Sequence, residues 1–274
     1  AKTVITVAAS APTLYYQCSS HSGMGGQVNT NSTFGSSNFS GSIQSTVSSN
    51  TTAGFSIVTY TGNNTSGATV GHGLGGVAPS MVILKNRNRT DNRDWVTYHT
   101  GLTSASYYIY LNSNAGQAGT YANFWNNTAP NSSVITLGSG DTGTNGSGDT
   151  YVAYCFAPKQ GYSAIGSYLG NGDASAPYIN TGFKPAMVIL KETTSSGQWY
   201  IFDNKRDIFN LMTDVLFPDL SIAETTDNAL DFYSTGFKGR KTSSDLNTSG
   251  NNHIYIAFAE SPFVNSNGVP NNAR

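Results

Sequence analysis

One apolar stretch occurs twice in the chain, and it constrains the architecture more than any other feature. Residues 79–85 read Pro-Ser-Met-Val-Ile-Leu-Lys, and residues 185–191 read Pro-Ala-Met-Val-Ile-Leu-Lys. Each copy is followed by a polar turn and then a tryptophan, Trp95 in the first and Trp199 in the second. Self-similarity of this kind indicates a structural unit that is built twice.

The segments around this stretch repeat in the same order. A strand-like entry at residues 54–63 matches residues 161–171, and an apolar closing segment at residues 151–157 matches residues 254–259. We therefore predict a first repeat and a second repeat in tandem. Their predicted boundaries are residues 54–160 and residues 161–274.

Composition and side-chain alternation favour an all-β fold for both repeats. Gly, Ser, Thr and Asn dominate between short apolar runs, as expected where many strands are joined by turns. In residues 151–157 both alternating faces are largely apolar, so this strand is predicted to be covered on both sides. We predict two tandem β-sandwich, jelly-roll-like repeat domains after an N-terminal β-hairpin segment. Trp95 and Trp199 are interpreted as core anchors.

Charge and motif content exclude several function classes. Only 11% of the residues are charged and the formal net charge is -1, so neither nucleic acid nor an anionic membrane is an expected partner. The apolar runs are far shorter than the roughly 20 residues that span a bilayer, so no membrane insertion is expected. Nucleotide-binding motifs and a nucleophile elbow are also missing from the sequence. A glycosidase pair of carboxylates stays open, because the chain has many Asp residues in turns.

The N-terminal segment, residues 1–30, carries a possible metal-binding pattern. Residues 3–7 and 14–18 are predicted to form a hairpin, and Cys18, His21 and Met24 follow at a spacing that suits copper. The stretch resembles the ligand loop that closes a cupredoxin-like domain. A blue-copper site needs a second histidine, and residues 1–17 contain none, so a closing hairpin without metal is the favoured interpretation and no cofactor is expected. Because the chain begins at Ala1 rather than Met, we expect a processed chain or part of a longer protein.

Residues 31–53, rich in Ser, Thr, Asn and Gly, are predicted to be a linker.

We expect functional residues in the segments where the two repeats differ, because the shared positions are explained by the shared fold. The second repeat has an insertion at residues 207–217 in which Ile208, Leu211, Met212, Val215 and Leu216 fall at helical spacing. Asp207 is placed to cap this run and Pro218 to end it, so a helix is predicted.

Two segments of the first repeat that lack a counterpart in the second are candidates for carbohydrate binding. An aromatic cluster in a Gly- and Asn-rich loop can stack sugar rings, and three arginines at a hairpin tip can bind an acidic glycan. The alternative is a solvated hairpin tip without a ligand. The candidate residues are Tyr121, Phe124, Trp125, Arg87, Arg89 and Arg93.

Several motifs together support a family resemblance. Residues 50–62, 71–75, 148–157 and 257–263 resemble a repeat domain found in large virion proteins of marine tailed bacteriophages, often near the C-terminus of tail-fibre proteins. The resemblance implies a viral surface protein of the tail or capsid exterior that acts in host attachment. It supplies no catalytic residues. Together with the neutral polar turns and the tandem repeat, it leads us to expect a homo-oligomer with other virion proteins as partners and host surface polysaccharide as a candidate ligand.

The expected function is therefore a non-enzymatic structural or adhesion protein. Three alternatives remain: a carbohydrate-active depolymerase of the virion, a capsid or tail decoration protein without a ligand, and a copper-binding protein.

Overall fold

The structure is a computed structural model that describes residues 14–17, 20, 25–28, 35–91, 94–119, 121–241 and 245–262. Side chains are described for these residues except 14–17, 25–28 and 227–229. Within these ranges the strands of each sheet pair antiparallel, and helix is limited to a single turn. The prediction of an all-β chain is confirmed.

The elements up to the end of the first repeat are β1 (Leu14–Gln17), β2 (Gly25–Val28), β3 (Ser36–Asn38), β4 (Ser45–Asn50), β5 (Phe55–Thr61), β6 (Ala68–Gly71), β7 (Met81–Asn86), β8 (Val96–His99), β9 (Ile109–Tyr110), α1 (Ala122–Trp125), β10 (Val134–Leu137) and β11 (Thr150–Phe156). Those of the second repeat are β12 (Ser163–Leu169), β13 (Tyr178–Asn180), β14 (Pro185–Glu192), β15 (Trp199–Asp203), β16 (Met212–Val215), β17 (Thr225–Tyr233), β18 (Gly236–Gly239) and β19 (Asn252–Ala259).

The two repeats share one strand order. The duplicated apolar stretch forms β7 and β14, and each of these strands lies beside the closing strand of its own repeat. The first repeat has the order β5-β11-β7-β8 within its large sheet, and the second has the order β12-β19-β14-β15. The sequence repeat therefore corresponds to a repeated sheet topology.

Four layers of sheet enclose three hydrophobic clusters. The large sheet of the first repeat packs face to face with the β12-β19-β14-β15 sheet of the second, and Met81, Ile109, Trp199 and Ile254 lie between them. On its other side, the large sheet is covered by β6, β10 and α1. The second inner sheet is covered on its other side by the β13-β18-β17-β16 sheet. Burying one apolar side chain completely stabilises the folded state by about 1.5–3 kcal/mol relative to leaving it exposed. The interface between the repeats is therefore a hydrophobic core that contributes to folding.

Strands β7, β11, β14 and β19 are therefore covered on both sides, as the two apolar faces of residues 151–157 predict. Ala153 and Cys155 point into the outer cluster of the first repeat, and Phe156 packs toward the second repeat. Burial raises the pKa of the free Cys155 thiol to about 12, so the thiol packs as a small apolar group.

The prediction that residues 31–53 form a linker is wrong for residues 35–53, which the structure describes. Strands β3 and β4 extend the large sheet beyond β5, and β4 pairs with β5 over its whole length. Ser45 and Val47 of β4 are buried, which explains why a stretch with few apolar residues still forms a strand. Gly54 closes the β4–β5 turn at a φ of 68°, and a Cβ there would lie 2.3 Å from the Ala157 carbonyl oxygen.

The predicted helix at residues 207–217 is also wrong. Met212 and Val215 belong to β16, where pairing with β17 buries both side chains in the second repeat. Asp207 caps no helix. Its carboxylate accepts hydrogen bonds from the backbone N–H groups of Thr213 and Asp214, at 2.6 and 2.7 Å. Sheet pairing therefore overrides the helical spacing of the apolar residues.

The prediction of two tryptophan core anchors is confirmed for Trp199 and wrong for Trp95. Trp199 is 1% exposed between the two repeats. Trp95 is only partly buried, and its ring stacks on Tyr154 with centroids 6.3 Å apart. Lys85 Nζ lies 5.8 Å from the centroid of the Trp95 ring, so this tryptophan packs beside a charged side chain rather than within the core.

At the N-terminus, β1 pairs with β2 as an antiparallel hairpin. The strand predicted at residues 3–7 lies outside the described residues. Among the helices of the described ranges, none has the length and apolar content needed to cross a membrane.

Candidate functional site

The aromatic cluster predicted as a sugar platform is mostly core. The turn α1 directs Phe124 and Trp125 inward, where they are 3% and 1% exposed. The Trp125 ring meets Tyr98 edge to face, with centroids 6.0 Å apart. The prediction that Trp125 is an exposed stacking residue is therefore wrong, because the helical turn places its ring in the core of the first repeat.

Tyr121, just before α1, remains partly exposed and joins two tyrosines that the sequence analysis missed. Its ring lies 5.9 Å from that of Tyr108, and the rings of Tyr108 and Tyr110 are 5.2 Å apart. The buried Phe124 ring packs against this group, and its centroid lies 4.6 Å from that of Tyr108 and 4.9 Å from that of Tyr121. We name the three half-buried rings of Tyr108, Tyr110 and Tyr121 the tyrosine face.

Polar groups border the tyrosine face on two sides. The Tyr121 hydroxyl donates to Asp141 Oδ2 at 2.9 Å. Near the other edge, Asn112 Nδ2 donates to Asp94 Oδ1 at 3.0 Å. Burial raises the pKa of Tyr110, and the neighbouring Tyr108 and both carboxylates raise it further. Tyr110 therefore lies within electrostatic reach of Asp94 and Asp141, and the face combines aromatic rings with fixed hydrogen-bond acceptors.

The arginines of the hairpin tip do not form one group. Arg89 donates through Nε to Asp149 Oδ2 at 2.6 Å, and Asn86 Nδ2 donates to the same oxygen at 3.0 Å. Burial alone would raise the pKa of Asp149, but these hydrogen bonds outweigh it and the pKa is lowered. Arg89 is thus held in an ion pair. Arg87 is exposed beside an open depression of about 250 Å³, and Arg93 lies outside the described residues.

The predicted copper ligands Cys18, His21 and Met24 all lie outside the described residues, so copper binding there stays a prediction. In the part of the chain that the structure describes, no group of three or more His, Cys, Asp or Glu side chains is arranged to hold a metal ion.

A second polar group occupies equivalent positions in the two repeats and was also missed from the sequence. Matching the strand registers aligns three side chains of each repeat. The first repeat carries Tyr60, Asn86 and Tyr151, and the second carries Tyr168, Glu192 and His253. The paired rings stack in both repeats, at 5.0 Å in the first and 4.8 Å in the second. The second repeat therefore replaces a neutral amide and a phenol with an ionisable pair.

Glu192 and His253 are almost fully buried. Glu192 accepts hydrogen bonds from Thr248 at 2.9 Å, from Asn251 at 2.7 Å and from Ser195. Burial would raise the pKa of Glu192, but these bonds lower it. His253 Nδ1 lies 3.0 Å from the Asn251 carbonyl oxygen and so carries the proton, which leaves Nε2 facing Glu192 Oε2 at 3.8 Å. Burial lowers the pKa of His253.

Lys191 completes this buried group and joins it to the first repeat. Its side chain has no exposed area, and Nζ donates to the carbonyl oxygens of Glu192 at 2.6 Å and Asn114 at 3.3 Å. Burial lowers the pKa of Lys191 to about 8. The loops on either side also bond directly, since Gln117 N–H donates to the Thr193 carbonyl oxygen at 2.8 Å. A polymer cannot reach these buried groups, so their geometry is that of a structural contact between the repeats.

Comparison with known proteins gives one family. Residues 29–262 match the family described as a domain of unknown function, DUF7483. The chain belongs to this family. The DUF7483 match includes β3 and β4 together with both repeats, which agrees with the sheet that joins β3, β4 and β5. No curated protein and no solved structure matched the chain.

Proposed function

We propose that this DUF7483 protein is a non-enzymatic structural and adhesion protein of a tailed-phage virion that binds host surface glycans through the tyrosine face. The observation that carries the glycan proposal is the grouping of Tyr108, Tyr110 and Tyr121 with Asp94 and Asp141. Half-buried rings present an apolar surface to a sugar, and fixed acceptors bind its hydroxyl groups. The virion assignment is supported by the resemblance of the repeat motifs to phage proteins. We further propose that the protein lies on the tail or capsid exterior, as a homo-oligomer among other virion proteins.

The hydrogen bonds of two carboxylates support binding without catalysis. Asp141 is held by the Tyr121 hydroxyl and by the backbone N–H of Gly143, and Asp94 is held by Asn112. Carboxylates engaged in this way act as fixed hydrogen-bond acceptors. The second candidate function is a depolymerase, favoured by the presence of two carboxylates, Asp94 and Asp141, that border the tyrosine face and raise the pKa of Tyr110.

The glycan proposal is tested on arrays of host surface polysaccharide with Tyr110→Ala and Tyr108→Ala. Each variant is expected to lower affinity about fivefold or more, if a sugar ring stacks on tyrosine as strongly as a nucleic-acid base stacks on an aromatic side chain, which is worth about 1–3 kcal/mol. Phe39→Ala is the matched control, since Phe39 is an aromatic residue that is 65% exposed outside the face. Unchanged binding by both tyrosine variants would exclude this face as the site.

Two further measurements separate the remaining functions. Release of reducing sugar from the same polysaccharide, abolished by Asp141→Asn, would establish the depolymerase instead. Immunogold labelling of intact particles is expected to decorate the tail or capsid exterior, and labelling confined to host cytoplasm would contradict the virion assignment.

A further inference from the structure

The outer sheet of the second repeat carries a polar and aromatic face that the sequence analysis did not select. In the register, Tyr178 lies opposite Lys238, and Lys238 lies opposite Asp231. Because side chains alternate along a strand, residues two positions further on share the same face. We name this surface the outer face; its residues are Tyr178, Asp231, Tyr233, Lys238 and Arg240.

The opposite side of the same strands is the core of the second repeat. Ile179, Phe232 and Phe237, which alternate with the residues of the outer face, are all buried there. The backbone beneath the outer face is therefore rigid, so the positions of its side chains are set by the fold.

Arg240 is fixed on the outer face by a buried carboxylate. Its Nε and Nη2 both contact Asp231 Oδ2, and the Tyr233 hydroxyl donates to the same oxygen at 3.0 Å. The Asp231 side chain is 7% exposed, whereas that of Arg240 is 45% exposed. The carboxylate thus orients one edge of the guanidinium and leaves much of the side chain in contact with solvent. A guanidinium held in this way is suited to planar anionic groups such as carboxylates.

An open cavity of about 620 Å³ lies beside Arg240, lined by Ala174, Asn210, Leu211, Asp231, Tyr233 and Arg240. Its wall at Asn210 is fixed, because the Asn210 amide exchanges hydrogen bonds with both the N–H and the carbonyl of Phe232, at 3.0 and 2.9 Å. The volume is in the range of ligand sites in proteins. The cavity therefore combines a fixed cation and its partner carboxylate with a hydroxyl, an amide and two apolar side chains.

Aromatic surface and positive charge extend from the cavity along the sheet. Tyr178 is 45% exposed and meets Tyr233 edge to face, with centroids 5.6 Å apart. Lys238 donates to the Ser175 hydroxyl at 2.6 Å, one residue from Ala174 of the cavity wall. Two cations and one carboxylate give the outer face a local positive balance on a chain whose net charge is -1.

We propose that the outer face binds an acidic saccharide, a sugar chain that carries carboxylate or sulfate groups. Arg240 takes the anionic group, Tyr178 and Tyr233 contact the sugar rings, and Asn210 binds hydroxyl groups. The two tyrosines favour a saccharide over an acidic peptide, because they offer ring-sized apolar surface beside the cation. This site is independent of the tyrosine face of the first repeat, so either proposal can fail alone.

The test is calorimetric titration of the full chain with three matched probes. Oligogalacturonate is the carboxylate probe, its fully methyl-esterified form is the neutral control, and dextran sulfate is the sulfate probe. We expect binding to at least one anionic probe and none to the methyl ester. Arg240→Gln is expected to lower the affinity at least tenfold, Arg240→Lys less than Arg240→Gln, and Tyr178→Ala several-fold.

Lys184→Gln is the matched control, since Lys184 is a cation of the second repeat with a similar side-chain exposure of 43%, and it pairs with Glu260 at 2.8 Å outside the outer face. The change removes the same charge and an ion pair, and it is expected to leave binding unchanged. Circular dichroism of each variant confirms folding, and the exposed Tyr178→Ala tests the site even where an arginine variant unfolds. The proposal is overturned by equal binding of the methyl ester, by equal loss of affinity with Lys184→Gln, by equal binding of polyglutamate, or by no binding of either anionic probe.

Discussion

Trp199 of the second repeat donates a hydrogen bond from its indole Nε1 to the carbonyl oxygen of Tyr110 in the first repeat, at 2.9 Å. The two residues belong to different units of the duplication, and the indole is 1% exposed. The bond fixes the backbone of β9 at Tyr110, whose ring belongs to the tyrosine face together with that of Tyr108 just before the strand. The core between the repeats therefore helps to position a candidate glycan surface on only one of them.

Trp199→Phe is expected to lower the free energy of unfolding by about 2–4 kcal/mol. The change removes buried ring volume and leaves the Tyr110 carbonyl without its donor, and each effect costs about 1–3 kcal/mol. Urea unfolding measures the loss. Trp95→Phe is the matched control at the equivalent, partly exposed position, where we expect less than about 1.5 kcal/mol. Equal losses for the two variants would contradict a special role for the contact between repeats.

His99 makes folding sensitive to acid at the same boundary. Its Nδ1 accepts a hydrogen bond from the Gly101 N–H at 2.9 Å, so the proton sits on Nε2, which donates to the Tyr255 carbonyl oxygen at 3.2 Å. Burial lowers the pKa of His99 to about 4. The unfolded chain, with a histidine pKa of about 6.5, binds this proton first. Stability is therefore present above about pH 6.5 and is lost as the pH falls to about 4.

The expected loss from His99 between pH 6.5 and pH 4.5 is about 2–3 kcal/mol, from the separation of the folded and unfolded pKa values. Urea unfolding at both pH values measures it, with His99→Gln as the comparison. The native protein is expected to exceed His99→Gln in free energy of unfolding by a smaller margin at pH 4.5 than at pH 6.5, and the margin should shrink by that amount. A difference that stays constant would show that His99 is not responsible.

Much of the fold follows from local sequence pattern. The duplicated stretch at β7 and β14 and the closing strands are long apolar runs, and their strand character depends little on context. The helix expected at residues 207–217 fails because spacing alone cannot tell a helical stripe from a short strand flanked by exposed residues. Met212 and Val215 are buried by β17, whereas Ile208 is 72% exposed.

The sites depended on contacts that spacing does not encode. Tyr108 and Tyr121 meet across a loop, so no local pattern marks them as one surface. Lys191 looked like the polar end of an apolar strand, and its contact with Asn114 of the other repeat joins residues far apart in the sequence. The signal available in the sequence was the difference between the copies, Asn86 against Glu192 and Tyr151 against His253, at positions otherwise aligned.

Lys191→Met tests the cost of burying a cation between the repeats. Because burial lowers the pKa of Lys191 to about 8 and the unfolded value is about 10.4, the unfolded chain binds more protons between these values. The stability of the native protein relative to the variant is therefore expected to rise by about 2 kcal/mol from pH 8 to pH 9.5. Urea unfolding at both pH values measures this difference. Lys85→Met, at the equivalent position of the first repeat, is the control, and a rise of the same size there would contradict the prediction.

The loop before β16 is expected to depend on Asp207 rather than on its own apolar side chains. Asp207→Ala removes the acceptor for the Thr213 and Asp214 N–H groups, so the free energy of unfolding should fall by about 1–3 kcal/mol. Phe209→Ser is the control: its side chain is 78% exposed, and we expect a change within about 0.5 kcal/mol. Urea unfolding ranks the two, and limited proteolysis should cleave the loop faster only in Asp207→Ala. A larger loss from Phe209→Ser would mean that the exposed ring, and not the carboxylate, holds the loop.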